Sequence, residues 1–571
     1  MDFEEARKMA RKYALKNAID YGKAKESVVV NKILSIEPGL KTNIKKLYKI
    51  AGEVCGEVNS LSKEELEKEY SQYAEEFKNI DLEKAEKSSK PNFNIDGAGR
   101  GEMITRFAPE PSGYMHLGHA KPVVLSNELK KLYDGKIYLY FDDTNPEKEK
   151  QEYVDSFKED LSWLGITFDK EYYASDNIDL MYEYSFKLID SGNAYICECS
   201  AEEIKKDRFD GKACKHRERD LTENRMMFQK MIDGGFDEGE VLLRLKGEMN
   251  SNNTSMRDPS LVRVKKSSHY RQGQKYSAWP NYDLNTPIMD SVKGVTDIIR
   301  SKEYELRDEL YYKILDLLNL RKPRIHEIGR FKIANNLTSK RKINALIKEG
   351  HVSGYDDLRL VTMIALKRRG ILPEAITSLM LKFGISKTES ITKVESLLAE
   401  NRKLIEPNAK RLFMVKDPVR LLVQKMVEKR DVSLRLHPHS DQGFRKYSLS
   451  DEFLISASDA STMKVGSRIR LKDAITIEIK EKTDDKIVAA EISGDAPQKI
   501  HWVNTGNYLR CQIILIGDLL KGEEFDPESM RTYDGYAESY INNLEEGESI
   551  QFEREGFFSL EKKDNFVFVS I

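Results

Sequence analysis

Two histidines three positions apart, His116 and His119, open a helix-forming run directly after the turn Pro109-Glu110-Pro111-Ser112-Gly113. A short apolar strand precedes that turn, so both imidazoles and a helix N-terminus are aimed at one point. Unpaired N–H groups and the helix dipole favour negative charge there, which suits the phosphates of a nucleoside triphosphate. A second string, Leu337-Thr338-Ser339-Lys340-Arg341-Lys342, supplies a cation on a loop that can close over leaving pyrophosphate. Together they fit an enzyme that activates a carboxylate with ATP. Taken singly, the first is also a pair of surface histidines near a cap, and the second a solvated charged loop.

Other residues could act beside them. A strand at 136–141 ends in Asp142-Asp143-Thr144-Asn145-Pro146, where acidic groups fit a metal site, a helix cap or solvated surface. Arg300, followed by Ser301, places a guanidinium that pairs bidentately with a substrate carboxylate and is poorly satisfied by a neutral amide; a surface salt bridge is the plain alternative. Arg106 can bind the other end of the same substrate. Cys197-x-Cys199 and Cys214-x-His216 bring together three thiolates and one imidazole, the ligand set of a tetrahedral structural Zn²⁺. Free buried thiols in a reduced protein are the alternative.

The elements that must position these groups alternate. Strand-like segments at 103–107 and 136–141 and helical ones at 116–132, 149–164 and 178–191 predict parallel strands with crossover helices, whose ligands lie beyond the strand C-termini. Strand-like segments resume at 276–284 and 295–300. The expected fold class is multidomain α/β: an N-terminal helical domain (1–85), a linker (86–101), a Rossmann-like doubly wound domain in two halves (102–195 and 276–340) around an insertion (196–275), a helical domain (341–405) and C-terminal β-barrels (406–571). Ser62 and Glu65 form a capping-box pattern ahead of the charged run EELEKEYSQYAEEF. Beyond Arg411 the hydrophobic period becomes two, as short barrel strands require.

Composition sets limits on function. The chain has 571 residues, enough for about four domains. Its 93 basic and 95 acidic residues leave a net charge of −2, so any nucleic-acid surface must be local. Clusters such as Arg217/Arg219/Arg225, Arg257/Arg263/Lys265/Lys266 and Lys367-Arg368-Arg369 offer tracks for phosphates. Five cysteines form no disulfide framework and imply a reducing compartment. With no apolar run near the ~20 residues that span a bilayer, a cytoplasmic protein without membrane partners is expected.

RFAPEPSGYMHLGHAK, residues 106–121, closely resembles the first signature of class I aminoacyl-tRNA synthetases of the glutamyl/glutaminyl branch, with Leu117 replacing the more usual Ile. LTSKRK, preceded by Arg330-Phe331, is similar to the KMSKS loop of that branch; its first lysine is absent and Thr338 stands where Met is common. The resemblance covers about 100–571. It implies ligation of L-glutamate to tRNA through a glutamyl-adenylate, releasing AMP and pyrophosphate, with Mg²⁺ travelling on ATP. His116, His119 and Lys340 would then be catalytic, and ATP would meet Glu110, Pro111, Ser112, His116, Gly118, His119, Lys121, Ser301, Arg330, Phe331, Thr338, Ser339 and Lys340. Glutamate would meet Arg106, Asp142 through its α-ammonium, Tyr282 (otherwise a half-buried core tyrosine) and Arg300, a position that is small and uncharged in glutamine-specific relatives.

The same resemblance makes 196–275 an acceptor-end-binding insertion, carrying zinc in some members, and 341–405 a stem-contact domain. It makes 406–571 the barrel-type anticodon domain of the archaeal/eukaryotic lineage, with Arg445, Lys446 and Trp502 as expected contacts. Residues 1–85 match only as an appended domain for docking or contact with the tRNA elbow. The implied partner is glutamate tRNA, with glutamine tRNA in some lineages, and the implied state a monomer. A glutaminyl-specific synthetase is the near alternative, opposed by Arg300. A non-catalytic tRNA-binding paralogue is the other, opposed by retention of His116, His119 and Lys340.

Overall fold

The computed structural model describes residues 3–37, 44–62, 64–74, 77, 93–424, 431–483 and 486–571. The end of the expected N-terminal helical domain, 78–85, and the start of the expected linker, 86–92, lie outside these residues. The chain divides into two compact units, Met1–Pro91 and Asn92–Ile571.

The first unit is helical: Phe3–Tyr21, Glu26–Ile36, Ile44–Asn59 and 64–74. Ala6, Ala10, Ala14 and Ala18 recur every fourth residue and are all buried. They form one small-residue stripe that packs with Leu47, Ala51, Val54 and Val58. Arg7 and Arg11 bridge to Glu53 and Glu57 across the same helix pair. The Ser62–Glu65 capping box is present, the Glu65 N–H donating to Ser62 Oγ at 3.3 Å and the Ser62 N–H to the Glu65 carboxylate at 2.9 Å.

The second unit is built on parallel strands β1 (Ile104–Phe107), β2 (Lys136–Phe141) and β3 (Lys170–Tyr173), in that order. β4 (Asp297–Ser301) pairs in parallel with β5 (Arg324–Ile328). The Thr296 N–H donates to Ile104 O at 2.7 Å and joins the second pair to the free edge of β1. The spatial order β3-β2-β1-β4-β5 is that of a Rossmann-like half-fold, and β1 at its centre ends beside the histidine turn. Between the halves lies an antiparallel sheet of four strands, Ala194–Cys197, Leu242–Leu245, Ser260–Val264 and Ala278–Pro280.

The strand-like reading of 276–284 is corrected. Pairing stops at Pro280, and Tyr282–Val292 is a helix. Leu284 and Ile288 are four apart, a helical spacing masked in sequence by the buried polar residues Asn285 and Thr286.

Four helices follow, Lys340–Lys348, Met363–Arg368, Pro373–Leu381 and Val394–Ile405. The C-terminal part is two barrel-like sheets of seven strands each. One holds Pro418–Gln424 and the strands from Glu452–Ser456 to Val503–Asn504. The other joins Lys410–Leu412 and Met414–Lys416 to strands between Tyr508 and Ser570.

Two expected RNA contacts prove to be core. Arg445 is buried against Glu538 at 2.8 Å, and Trp502 is 2% exposed with its indole N–H on Lys472 O. Alternation on Phe444–Ser448 turns Arg445 and Tyr447 inward and leaves Phe444 and Lys446 outside, with Phe444 52% exposed beneath the Arg435 guanidinium. The 367–369 basic run is likewise not a free track. Lys367 bridges to Glu159, Arg368 to Asp356 and Glu561, and buried Arg369 donates to Ser570 O. Among the described residues no helix is long and apolar enough to cross a membrane.

Candidate active site

His116 is the N-cap of the helix Leu117–Leu132, and its Nδ1 accepts the Gly118 N–H at 3.1 Å. His119 Nδ1 accepts the His116 N–H at 3.3 Å. The Leu117 N–H goes to Val361 O at 3.0 Å and the His119 N–H to His116 O at 2.9 Å. The expectation of unpaired N–H groups at this helix start is therefore corrected, because the chain uses them for its own capping. What the site presents instead is imidazole. With both Nδ1 atoms accepting, each neutral ring carries its proton on Nε2. Burial keeps the rings neutral: it pulls His116 down to about 4, and burial with the adjacent His116 holds His119 well below the usual range. The rings stack with centroids 3.9 Å apart. Gly118 is obligatory, since a Cβ there would lie 2.8 Å from His116 Cε1.

Both rings border a cavity of about 460 Å³. Of the residues singled out from the sequence, Arg106, Glu110, Ser112, His116, Gly118, His119, Tyr282, Arg300, Ser301, Thr338 and Lys340 line it. A recess of about 390 Å³ shares His116, His119, Ser301 and Thr338 with it and adds Lys121, Arg330, Phe331 and Ser339. Neither lining includes Pro111 or Asp142. Pro111 lends its carbonyl to the Lys150 N–H at 3.2 Å.

The expected loop ends at Ser339, the N-cap of the helix Lys340–Lys348. Lys340, the first residue of that helix, reaches across the cavity to donate to Ser112 O in the histidine turn. Burial and then neighbouring Lys150 lower its pKa. Lys121 borders the recess while its ammonium is engaged within the chain. The residue is 1% exposed, and its ammonium donates to Gly329 O at 2.9 Å, with Ser390 Oγ at 3.4 Å. Burial brings it down to about 8. Gly329 in turn abuts Thr388 O, which a Cβ would approach to 1.9 Å. Lys121 is thus a strut under the backbone that leads into Arg330 and Phe331.

At the other end, both arginines already hold an aspartate. Arg106 clamps Asp290 through Nε at 2.8 Å and Nη2 at 3.1 Å. Arg300 meets Asp308 through Nη2 and the Tyr282 hydroxyl through Nη1 at 3.3 Å, and its Nε is buried without a partner. Asp142 accepts from Asn285 at 2.9 Å. Burial, then Glu110 and Asp143, raise its pKa to about 7 against the opposing pull of Arg106. Asp143 faces the other way and is buried under Ser175 and Tyr270, so of the acidic pair only Asp142 is electrostatically coupled to cavity-lining groups. Asp290, Asp308, Asn285 and Tyr304 carried no sequence signal, because their partners lie across the fold or one turn away.

The cysteine cluster closes as its spacing suggested. Cys214 Sγ lies 3.6 Å from Cys197 Sγ, 3.3 Å from Cys199 Sγ and 3.3 Å from His216 Nδ1. Four ligands at Zn–S distances of ~2.3 Å stand about 3.7 Å apart in a tetrahedron, so the donor set fits a zinc ion. The His216 N–H donates to Cys214 Sγ at 3.3 Å, and His216 Nε2 lies 3.6 Å from the Glu198 carboxylate, both of which orient ligands.

A cavity beyond the C-termini of parallel strands, between a paired-histidine cap and the lysine that opens a later helix, defines a class I nucleotide-activating core. The sequence comparisons narrow it. The model for tRNA synthetases class I (E and Q), catalytic domain, matches residues 102–407, and two models for the anticodon-binding domain of the same group match 409–495 and 499–561. Proteins named glutamate–tRNA ligase are similar over almost their whole length: 38% identity in Nitrosopumilus maritimus and 38% in Pyrococcus furiosus, each over 99% of both chains, and 32% in Methanopyrus kandleri over 98% of both. The chain belongs to the class I (E and Q) tRNA synthetases.

Proposed function

We propose that this cavity joins L-glutamate to ATP as glutamyl-adenylate and passes the acyl group to tRNA, the activity of a glutamate–tRNA ligase (EC 6.1.1.17). The observation that carries the reading is Arg300, buried in the same cavity as His116, His119 and Lys340. A guanidinium with an unmatched buried donor suits the side-chain carboxylate of glutamate and penalises the amide of glutamine.

The α-carboxylate attacks the α-phosphorus of ATP and pyrophosphate departs; the terminal ribose hydroxyl of tRNA then takes the acyl group and AMP departs. No protein nucleophile is needed. His116 and His119 donate neutral Nε2–H bonds to phosphate oxygens, and Lys340 supplies the positive charge over the departing pyrophosphate. Mg²⁺ bound to ATP neutralises phosphate charge. Arg330, Phe331, Thr338 and Ser339 border the nucleotide recess, and Asp142 holds the α-ammonium as a carboxylate. Arg106 and Tyr282 shape the amino-acid end. Cys197, Cys199, Cys214 and His216 would hold a structural Zn²⁺, which would cross-link the insertion.

The test is charging of purified glutamate and glutamine tRNAs with each amino acid, with tRNA-supported pyrophosphate exchange beside it. Glutamate-dependent exchange and charging of glutamate tRNA are expected. Glutamine-dependent charging would overturn the amino-acid assignment, and charging of glutamine tRNA with glutamate would extend the tRNA range.

A further inference from the structure

Behind the cysteine cluster lies a buried cation that the ligation chemistry does not use. Arg244 is 0% exposed. Its Nε donates to Asp258 O at 2.9 Å, its Nη1 points at Cys197 Sγ at 3.6 Å, and its Nη2 is buried without a partner. The nearby carboxylate, Asp258, is committed elsewhere: it accepts from Tyr195, from the Gly247 N–H and from Arg217 Nε at 3.1 Å. Arg244 meets Asp258 only through the backbone carbonyl. Among the described residues, therefore, no carboxylate forms an ion pair with it. Asp258 lends its charge from nearby but is ion-paired with Arg217, so the buried guanidinium has no ion-pair partner of its own, which is costly, and the group its Nη1 faces is a sulfur.

Three thiolates and one neutral imidazole around Zn²⁺ carry one net negative charge. A guanidinium against one of those sulfurs balances that charge and donates N–H···S. We infer that Arg244 is the counter-cation of the metal centre, its Nη1 directed at Cys197 Sγ, and that it raises the affinity of the site for zinc. The inference rests on the zinc reading above and adds a residue that touches no substrate. Arg244 comes from the strand paired with Ala194–Cys197, so the sheet places it by register, two residues along from the Leu242 that faces Cys197.

Zinc content and affinity, measured by competition with a chromogenic chelator, test this on the full-length protein. Wild type is expected to hold one equivalent. Arg244→Met, which keeps the length of the side chain without its charge, should lose about ten- to a hundredfold in affinity, and Arg244→Lys should recover most of that. Met and wild-type affinities that agree overturn the inference, as does a Lys variant as weak as the Met one. If the Met variant does not fold, the Lys variant decides: zinc held within about threefold of wild type supports the role, and a loss of about tenfold or more removes it. A wild type devoid of zinc sinks the metal reading itself, a distinct outcome. The readout is metal affinity, so it does not depend on aminoacylation.

Discussion

Arg300 and Asp308 are locked together through Nη2, so the guanidinium that faces the amino-acid end of the cavity arrives there already oriented. Its other edge meets Tyr282, and only Nε is left unmatched. Arg300→Cys should lower kcat/KM for glutamate by about ten- to a hundredfold, the value of one charge-assisted hydrogen bond at ~1.5–3 kcal/mol. Arg300→Lys should not restore it, because a point charge cannot serve Asp308, Tyr282 and substrate from one plane. Charging assays with both amino acids check this. If the Cys variant rejects glutamine as strongly as wild type does, Arg300 is not the selector.

The histidine pair separates capping from chemistry by atom, since Nδ1 caps and leaves Nε2–H as the donor each ring has to offer. His119→Asn retains an acceptor near the Nδ1 position, so it should melt close to wild type while kcat falls about a hundred- to a thousandfold. His119→Gln should cost about 1 kcal/mol of stability through the lost cap. Thermal melts beside single-turnover adenylation distinguish the two. Because both rings are already neutral above pH 6, neither should contribute a titration step between pH 6 and 8.

Asp142 should give the visible step instead. Its carboxyl titrates near 7 in the free protein and binds an ammonium only when ionised, so KM for glutamate should fall as pH rises through 7 and level off above it. Stability runs the other way. A carboxyl whose folded pKa is raised above the unfolded value loses stability progressively from about pH 4 to 7. Asp142→Asn is therefore expected to melt higher than wild type at pH 8 and not at pH 4, while its glutamate KM rises and loses its pH dependence.

Lys121 predicts an effect on ATP alone. Lys121→Met removes the support under Gly329 but touches no reacting atom, so KM for ATP should rise about five- to tenfold with kcat nearly unchanged. The ammonium titrates near 8 when folded and higher when unfolded, so wild type gains stability as pH climbs through that window and the Met variant does not. An equal fall in kcat would place Lys121 in the chemistry after all.

Phe444 is the exposed aromatic that the sequence reading passed over in favour of Arg445 and Trp502. If unstacked bases rest on the outer face of Phe444–Ser448, Phe444→Ala should weaken tRNA binding by ~1–3 kcal/mol and leave the melt unchanged. Lys446→Ala should instead reduce the salt dependence of binding. Filter binding at two salt concentrations reads both.

What the sequence disclosed was whatever repeats or recurs locally. The period of strands and helices around His116, the capping box at Ser62, and the two cysteine pairs are all short-range, whereas the cap the histidines form on their own helix was not foreseen. The short-range features appear in the fold within a few residues of where the pattern put them. The helix at Tyr282–Val292 was hidden because its buried face is partly polar, and Asn285 sits inward to serve Asp142, 143 positions away. Asp290, Asp308 and Arg244 were silent for the same reason: a charge becomes informative only when its partner is known. The basic runs misled in the opposite direction, since Arg217, Arg219, Lys265 and Arg368 all turned out to be matched within the chain. Composition counts charges and says nothing about which are already satisfied.

The strands Lys410–Leu412 and Met414–Lys416 have a consequence for how the C-terminal half is made. They belong to the last sheet, and their partners, Ser549–Phe552 and Met530–Glu538, emerge more than a hundred residues later. During synthesis two unpaired edges must wait while the intervening sheet assembles from everything between them. The terminal strand Val567–Ser570 then buttons the arrangement shut. Val567–Ser570 pairs with both Tyr508–Ile516 and Gly556–Lys562, so a variant lacking that strand would expose two edges at once and should be cleared by proteolysis instead of persisting.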